Sequence, residues 1–171
     1  MKYQLVAGLA VCGLALATIS GRARSEPDKA LSLRGTWVME SAYEIRADGT
    51  RTTTYGEHPL GLMMVDEAGR YSLQIYRPDR HQFKSGDKST AEPDELREAV
   101  IGSSTHFGRV QVDPEARQLI FEVKAAAFPN WQGKRQARDY TYENGVLTYR
   151  VPASASGSGT VAYSVWRKAG S

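Results

Sequence analysis

The feature that most constrains this chain is a recurrence. From Gly35 onward, short runs of alternating apolar and polar residues are broken at close intervals by turn residues, almost to the C-terminus. In "GTWVMESAYEI", Trp37, Met39, Tyr43 and Ile45 share one parity with Ser41 among them, while Thr36, Glu40 and Glu44 take the other. That is the period of a half-buried strand. Asp48-Gly49 is a hairpin signal, and "TRTTTY" after it is rich in β-branched residues. "PLGLMMV" and "RYSLQIY" flank "DEAG" and form a second hairpin. "THFGRVQV", "DPEAR" and "QLIFEVKAAAF" repeat the pattern. "RQARDYTYE" and "VLTYRV" then meet at Asn144-Gly145, the strongest two-residue turn in the chain, and "TVAYSVWR" is the last strand.

Strands joined by hairpins imply antiparallel neighbours. Eight to nine of them predict an all-β fold, an up-and-down barrel or a sandwich. One short helix interrupts them, "EPDELREAVI", with Pro93 at its first position and Asp94 and Glu95 at the positive end of its dipole. Leu96, Ala99 and Val100 form its modest apolar stripe. This helix could cover one end of a barrel.

The N-terminal segment must be set aside first. Lys2 precedes an apolar stretch from Leu5 to Ile19 that is too short to span a bilayer comfortably and has the plan of a secretory signal peptide. Residues 1–25 therefore read as a cleaved signal, 26–33 as a linker and 34–169 as the barrel domain. Cleavage after Ala17, Ser20 or Ser25 fits the small-residue rule. Lipid attachment at Cys12 fits poorly, because bulky Val11 precedes it. The expected location is periplasmic or secreted, with no stable membrane span after cleavage.

Of the 22 basic residues, Lys2, Arg22 and Arg24 lie in that segment, which holds no acid; 19 basic residues remain against 19 acidic ones. A neutral domain with mixed charges offers no electrostatic case for nucleic acid. The only cysteine, Cys12, also leaves, so no disulfide or thiol chemistry is expected.

"GTW" at the head of the first strand resembles the glycine-any-tryptophan signature of the lipocalin superfamily. The resemblance is closer to the bacterial lipocalin-like domain family, through "GTWVMESAYEIRADGT", "YGEHPLGLMMVDEAGRYSLQIYRPDR", "FKSGD", the proline-led acidic helix, "HFGRVQVD" and "FPNWQGKRQARDY". It covers residues 33 to 168. It implies a closed or nearly closed lipocalin-like antiparallel barrel with an internal cavity, but no settled activity. It also implies that Gly35 and Trp37 close one end, with a basic residue of the last strand across the tryptophan. Arg167, in parity with Val161, Tyr163 and Val165, is the candidate.

Within such a barrel, His106 shares parity with Val110 and Val112 and would face the interior, where a neutral imidazole can bind or move a proton. Arg138 shares parity with Gln136, Tyr140 and Tyr142; inside, its guanidinium would need an acid or a bound anion, and a one-residue slip would turn it out to solvent. Tyr43, Tyr71 and Tyr140 complete the expected ligand-binding set, each an apolar ring with a polar tip. The tryptophan of "FPNWQG" reads as pinning its loop to the wall or folding over a cavity mouth. His58 and His81 lack metal-ligand spacing, and neither a metal nor another cofactor is expected. No nucleophile elbow or phosphate cradle is present. Three functions fit: an exported barrel binding a small hydrophobic or amphipathic ligand, an isomerase or cyclase using interior His, Tyr and Arg, or a solid structural barrel of the envelope.

Overall fold

A computed structural model describes residues 31–156 and 158–170. The signal segment at 1–25 and most of the linker at 26–33 lie outside the described residues.

Among the described residues nine strands form: β1 (Gly35–Ile45), β2 (Arg51–Thr52), β3 (Leu60–Val65), β4 (Arg70–Tyr76), β5 (Ser103–Asp113), β6 (Gln118–Ala126), β7 (Arg135–Glu143), β8 (Val146–Val151) and β9 (Val161–Lys168). The helix α1 (Pro93–Ile101) and a single 3-10 turn at Pro129–Trp131 are the described helical elements. Eight strands follow one another as antiparallel neighbours from β1 through β3 to β9, and β9 pairs back onto β1, closing an up-and-down barrel. The two-residue β2 extends one end of β1.

The hairpin at Asp48-Gly49 is shorter than its β-branched sequence suggests. Only Arg51 and Thr52 pair with β1 before the chain turns at Thr53–Gly56. Two side-chain bonds hold that turn: Thr53 Oγ1 donates to Glu57 and Thr54 Oγ1 to Glu44. Tyr55 is thereby turned onto the core.

Most strands keep strict alternation, but β1 does not. Its pairing with β9 shifts between Met39 and Ser41, so Glu40 is an extra residue in the strand. A bulge of this kind reverses the facing of every residue beyond it. Trp37 and Met39 are buried, and after the bulge it is Ala42 that is buried. Tyr43 is turned outward, where it stacks on Tyr163 at 4.9 Å and carries the Arg51 guanidinium on its ring. This corrects the parity expected for Tyr43.

A second irregularity lies between β5 and β6, where Lys124 is the extra residue. It depends on Gly108: a Cβ there would stand 2.0 Å from the Glu122 carbonyl oxygen, a backbone atom that cannot yield.

The strand β7 changes partner along its length. Arg135–Asp139 pairs with β6, whereas Tyr140–Glu143 pairs with β8. On the Arg135–Asp139 side of that crossover, β7 and β8 are joined by the Arg150–Asp139 ion pair.

The helix plugs neither end. None of its residues is buried, and Leu96, Val100 and Ile101 remain exposed. Its N-terminus closes on a capping box between Glu92 and Glu95. Glu98 ties it to the preceding loop through Arg77 and through His81 at 3.0 Å. A stripe of three apolar residues offers too little area to outweigh these polar tethers.

Candidate functional site

The two ends of the barrel differ. At one end the indole of Trp37 is fully buried, and its Nε1 donates to the Leu33 carbonyl at 2.7 Å. Tyr142 meets it edge-on at 6.1 Å. The cation across it is not Arg167. On β9 the buried residues are Ser164 and Trp166, so Arg167 faces outward and pairs with Glu40. Lys168, one position on, holds its Nζ 5.6 Å from the Trp37 ring centroid. Gly35, at φ 113°, leaves room for that side chain, whose Cε would lie 3.3 Å from a Cβ. Valine content misleads about the facing of β9: its inner face lies beside Trp37 and Tyr149, and there small Ala162 and Ser164 alternate with one large Trp166.

At the other end the interior turns polar. Alternation along β4 buries Tyr71, Leu73 and Ile75. The pairing of β4 with β5 sets His106 opposite Leu73, facing inward. The Tyr71 hydroxyl and His106 Nδ1 share a hydrogen bond of 2.7 Å whose donor depends on the imidazole tautomer. From β7, Gln136 and Arg138 project inward, both buried. Arg138 Nη2 donates to Gln136 Oε1 at 2.8 Å. The guanidinium carbon lies 4.2 Å from the Phe121 centroid, 5.3 Å from that of Tyr149 and 5.8 Å from that of Trp131. Tyr71 and His106 both meet Phe121 edge-on, which binds the two halves of the site through one ring.

The electrostatics are those of a buried cluster with one charge. Burial, followed by the positive charge of Arg138, holds the His106 imidazole well below its ordinary value. Burial pushes the Tyr71 and Tyr149 hydroxyls up, with Arg138 opposing in each case. Burial pulls Arg138 down, and the two tyrosines oppose it. A guanidinium does not lose its proton in a protein, so Arg138 stays charged. Among the described residues no carboxylate pairs with it, and its Nε makes no hydrogen bond.

His106 also gives the fold a pH dependence whose sign follows directly. Above the ordinary histidine pKa near 6.5 both folded and unfolded chains are neutral at this ring. Below it the unfolded chain takes up a proton that the folded chain does not. Stability is lost as pH falls from that point toward the depressed folded pKa, by up to about 1.4 kcal/mol per pH unit. Urea midpoints measured between about pH 7.5 and 5 will show this slope in the native chain and not in His106→Gln.

Two aromatic side chains stand at this mouth. Trp131, on the loop between β6 and β7, packs edge-on over His106 at 5.4 Å and donates from Nε1 to the Ala155 carbonyl at 2.7 Å. It thus reaches from one loop to the other across the mouth, rather than pinning its loop to the wall alone. Tyr55 packs against the core from the connection between β2 and β3. Beside Trp131 a cleft of about 500 Å³ is lined by Gln136, Ala153 and Ala155 among others.

Of the residues expected to bind a ligand, His106, Tyr71 and Arg138 are brought together. Tyr140 shares the inward parity of Arg138 and is partly buried against the core, further along β7. Tyr43 stands outside. Phe121, Gln136 and Trp131 complete the cluster. Phe121 has the signal of inward parity with Leu119 and Val123, whereas Trp131 sits in a turn where periodicity says nothing. His58 and His81 are exposed. Among the described residues no three metal-binding side chains converge, and no helix is long and apolar enough to cross a membrane.

A closed eight-stranded antiparallel barrel with a tryptophan buried at one end is a barrel of the lipocalin type. A family model described as the lipocalin-like domain matches residues 34–169, and the chain belongs to that family. No curated protein matches the chain.

Proposed function

We propose that this chain is an exported barrel that holds a small, partly apolar molecule in the interior beneath Trp131. The observation that carries this reading is the convergence of Tyr71, His106 and Arg138 on the inner wall. A solid barrel fills such positions with aliphatic side chains, because a buried polar group costs free energy unless it is satisfied. Here three polar side chains lie among the rings of Phe121, Tyr149 and Trp131, the mixture of apolar lining and few placed polar groups typical of ligand sites. Entry is at the Trp131 end, since Trp37 and Lys168 fill the other.

The test is saturable binding of a neutral apolar fluorophore, N-phenyl-1-naphthylamine, to the full chain. One site per chain is expected, weakened at least about fivefold in Trp131→Ala through loss of ring contact. Absence of saturable binding overturns the reading in favour of a solid structural barrel.

One observation favours a second reading. The Tyr71–His106 hydrogen bond sits beside a fixed cation, an arrangement that could shuttle a proton during an isomerisation or cyclisation. Binding ranks above it because burial moves both groups away from the neutral range in which a proton-transfer pair works best.

A further inference from the structure

We propose that the interior site selects a ligand with a singly charged anionic head of carboxylate type, seated on the Arg138 guanidinium beside Tyr71 and His106. This deepens the reading above and rests on it. The argument starts from charge. Arg138 is 1 % exposed and carries the one formal charge of the cluster. Its polar contacts are with neutral groups, Gln136 Oε1 and the Tyr149 hydroxyl, and its Nε has no partner. Ring faces attract a cation, but they do not replace a counter-ion. A cationic ligand would add to the buried positive charge, and a neutral one would leave it uncompensated.

The geometry narrows the anion. The Nε and Nη2 edge of a guanidinium presents two parallel N–H groups, the fork that matches the two oxygens of a carboxylate. Gln136 lines the cleft beside Trp131 and also accepts from Nη2, so it is the residue that links solvent to this fork. Turning its amide toward the cleft would free Nη2. One cation neutralises one negative charge. A phosphomonoester would bring a second that no group in the cluster balances, since His106 is held neutral and Tyr71 protonated. The apolar remainder of the ligand then extends toward the mouth beneath Trp131.

The experiment uses the full chain and displacement of N-phenyl-1-naphthylamine by three molecules of equal chain length: decanoate, decan-1-ol and decyl phosphate. Decanoate is expected to bind at least about tenfold more tightly than either of the others. Arg138→Met should make decanoate and decan-1-ol equal. A second variant does not depend on how Arg138→Met folds. Gln136→Glu places a carboxylate of the chain's own on the guanidinium, so it should weaken decanoate at least about tenfold more than it weakens decan-1-ol. If decan-1-ol binds as tightly as decanoate, or if Gln136→Glu weakens both alike, the anionic head is wrong while the binding barrel stands. Tighter binding of decyl phosphate overturns the single-charge assignment. If neither the fluorophore nor any of the three binds, the binding reading itself fails.

Discussion

Replacing Arg138 by methionine is expected to stabilise the ligand-free protein, an unusual outcome for the truncation of a fully buried side chain. Methionine keeps most of the volume and adapts to the gap. The desolvation of a buried ion costs several kcal/mol after relaxation. Against this, Arg138 has a hydrogen bond to Gln136, a polar contact with the Tyr149 hydroxyl and the faces of three rings. A charge-assisted bond contributes about 1.5–3 kcal/mol and a desolvated cation–π contact about 2 kcal/mol. Gln136 lines the cleft, so water can satisfy its oxygen in the variant. The balance favours methionine by about 1–3 kcal/mol, or roughly 3–10 °C in melting temperature for a domain of this size. Differential scanning calorimetry checks it. A lowered melting temperature would mean that the guanidinium holds the barrel together, and the case for an anionic ligand would lose its foundation.

The opposite end should behave as an ordinary core. Trp37→Ala removes a fully buried indole, its bond to Leu33 and its contacts with Tyr142 and Lys168. A loss of about 3–5 kcal/mol is expected, a large part of the 5–15 kcal/mol that typically holds a domain folded. Arg167→Ala, by contrast, breaks a half-exposed pair with Glu40 and should cost less than about 1 kcal/mol. Denaturant midpoints of the two variants decide between them. Comparable losses would mean that Arg167, not Lys168, secures the tryptophan.

Where strands alternate without interruption, their facing is legible in the sequence. Tyr71, Leu73 and Ile75 share one face of β4 as alternation requires, and β7 takes, of the two facings its pattern allows, the one that turns Gln136 and Arg138 inward. Parity fails at Tyr43 because a bulge leaves no mark in composition: Glu40 is an unremarkable strand residue whose extra place is visible only in the pairing with β9. It fails at Arg167 for a different reason. Valine is a good strand former on either face, and the inner face of β9 is decided by the room left beside Trp37 and Tyr149 rather than by hydrophobicity. The lone charge at the site was visible as an alternative, an arginine that must find an anion if it faces inward. What the sequence does not carry is the ring of Phe121, Tyr149 and Trp131 around it, drawn from three separate segments.

The change of partner along β7 has a consequence for molecular size. A barrel laced by backbone bonds all the way round is a rigid collar, and its girth caps what it can admit. Between the first half of β7 and the end of β8 the lacing is by side chains, Arg150 to Asp139 and, nearer the rim, Trp131 to Ala155. Such fastenings open one at a time and leave every backbone ladder intact. Gln136 and Arg138 stand on the lip of that seam. A guest gripped there by its head could let a long or bulky tail hang out through the seam. Discrimination would then fall on the head, and a family of molecules of unequal length could share one seat.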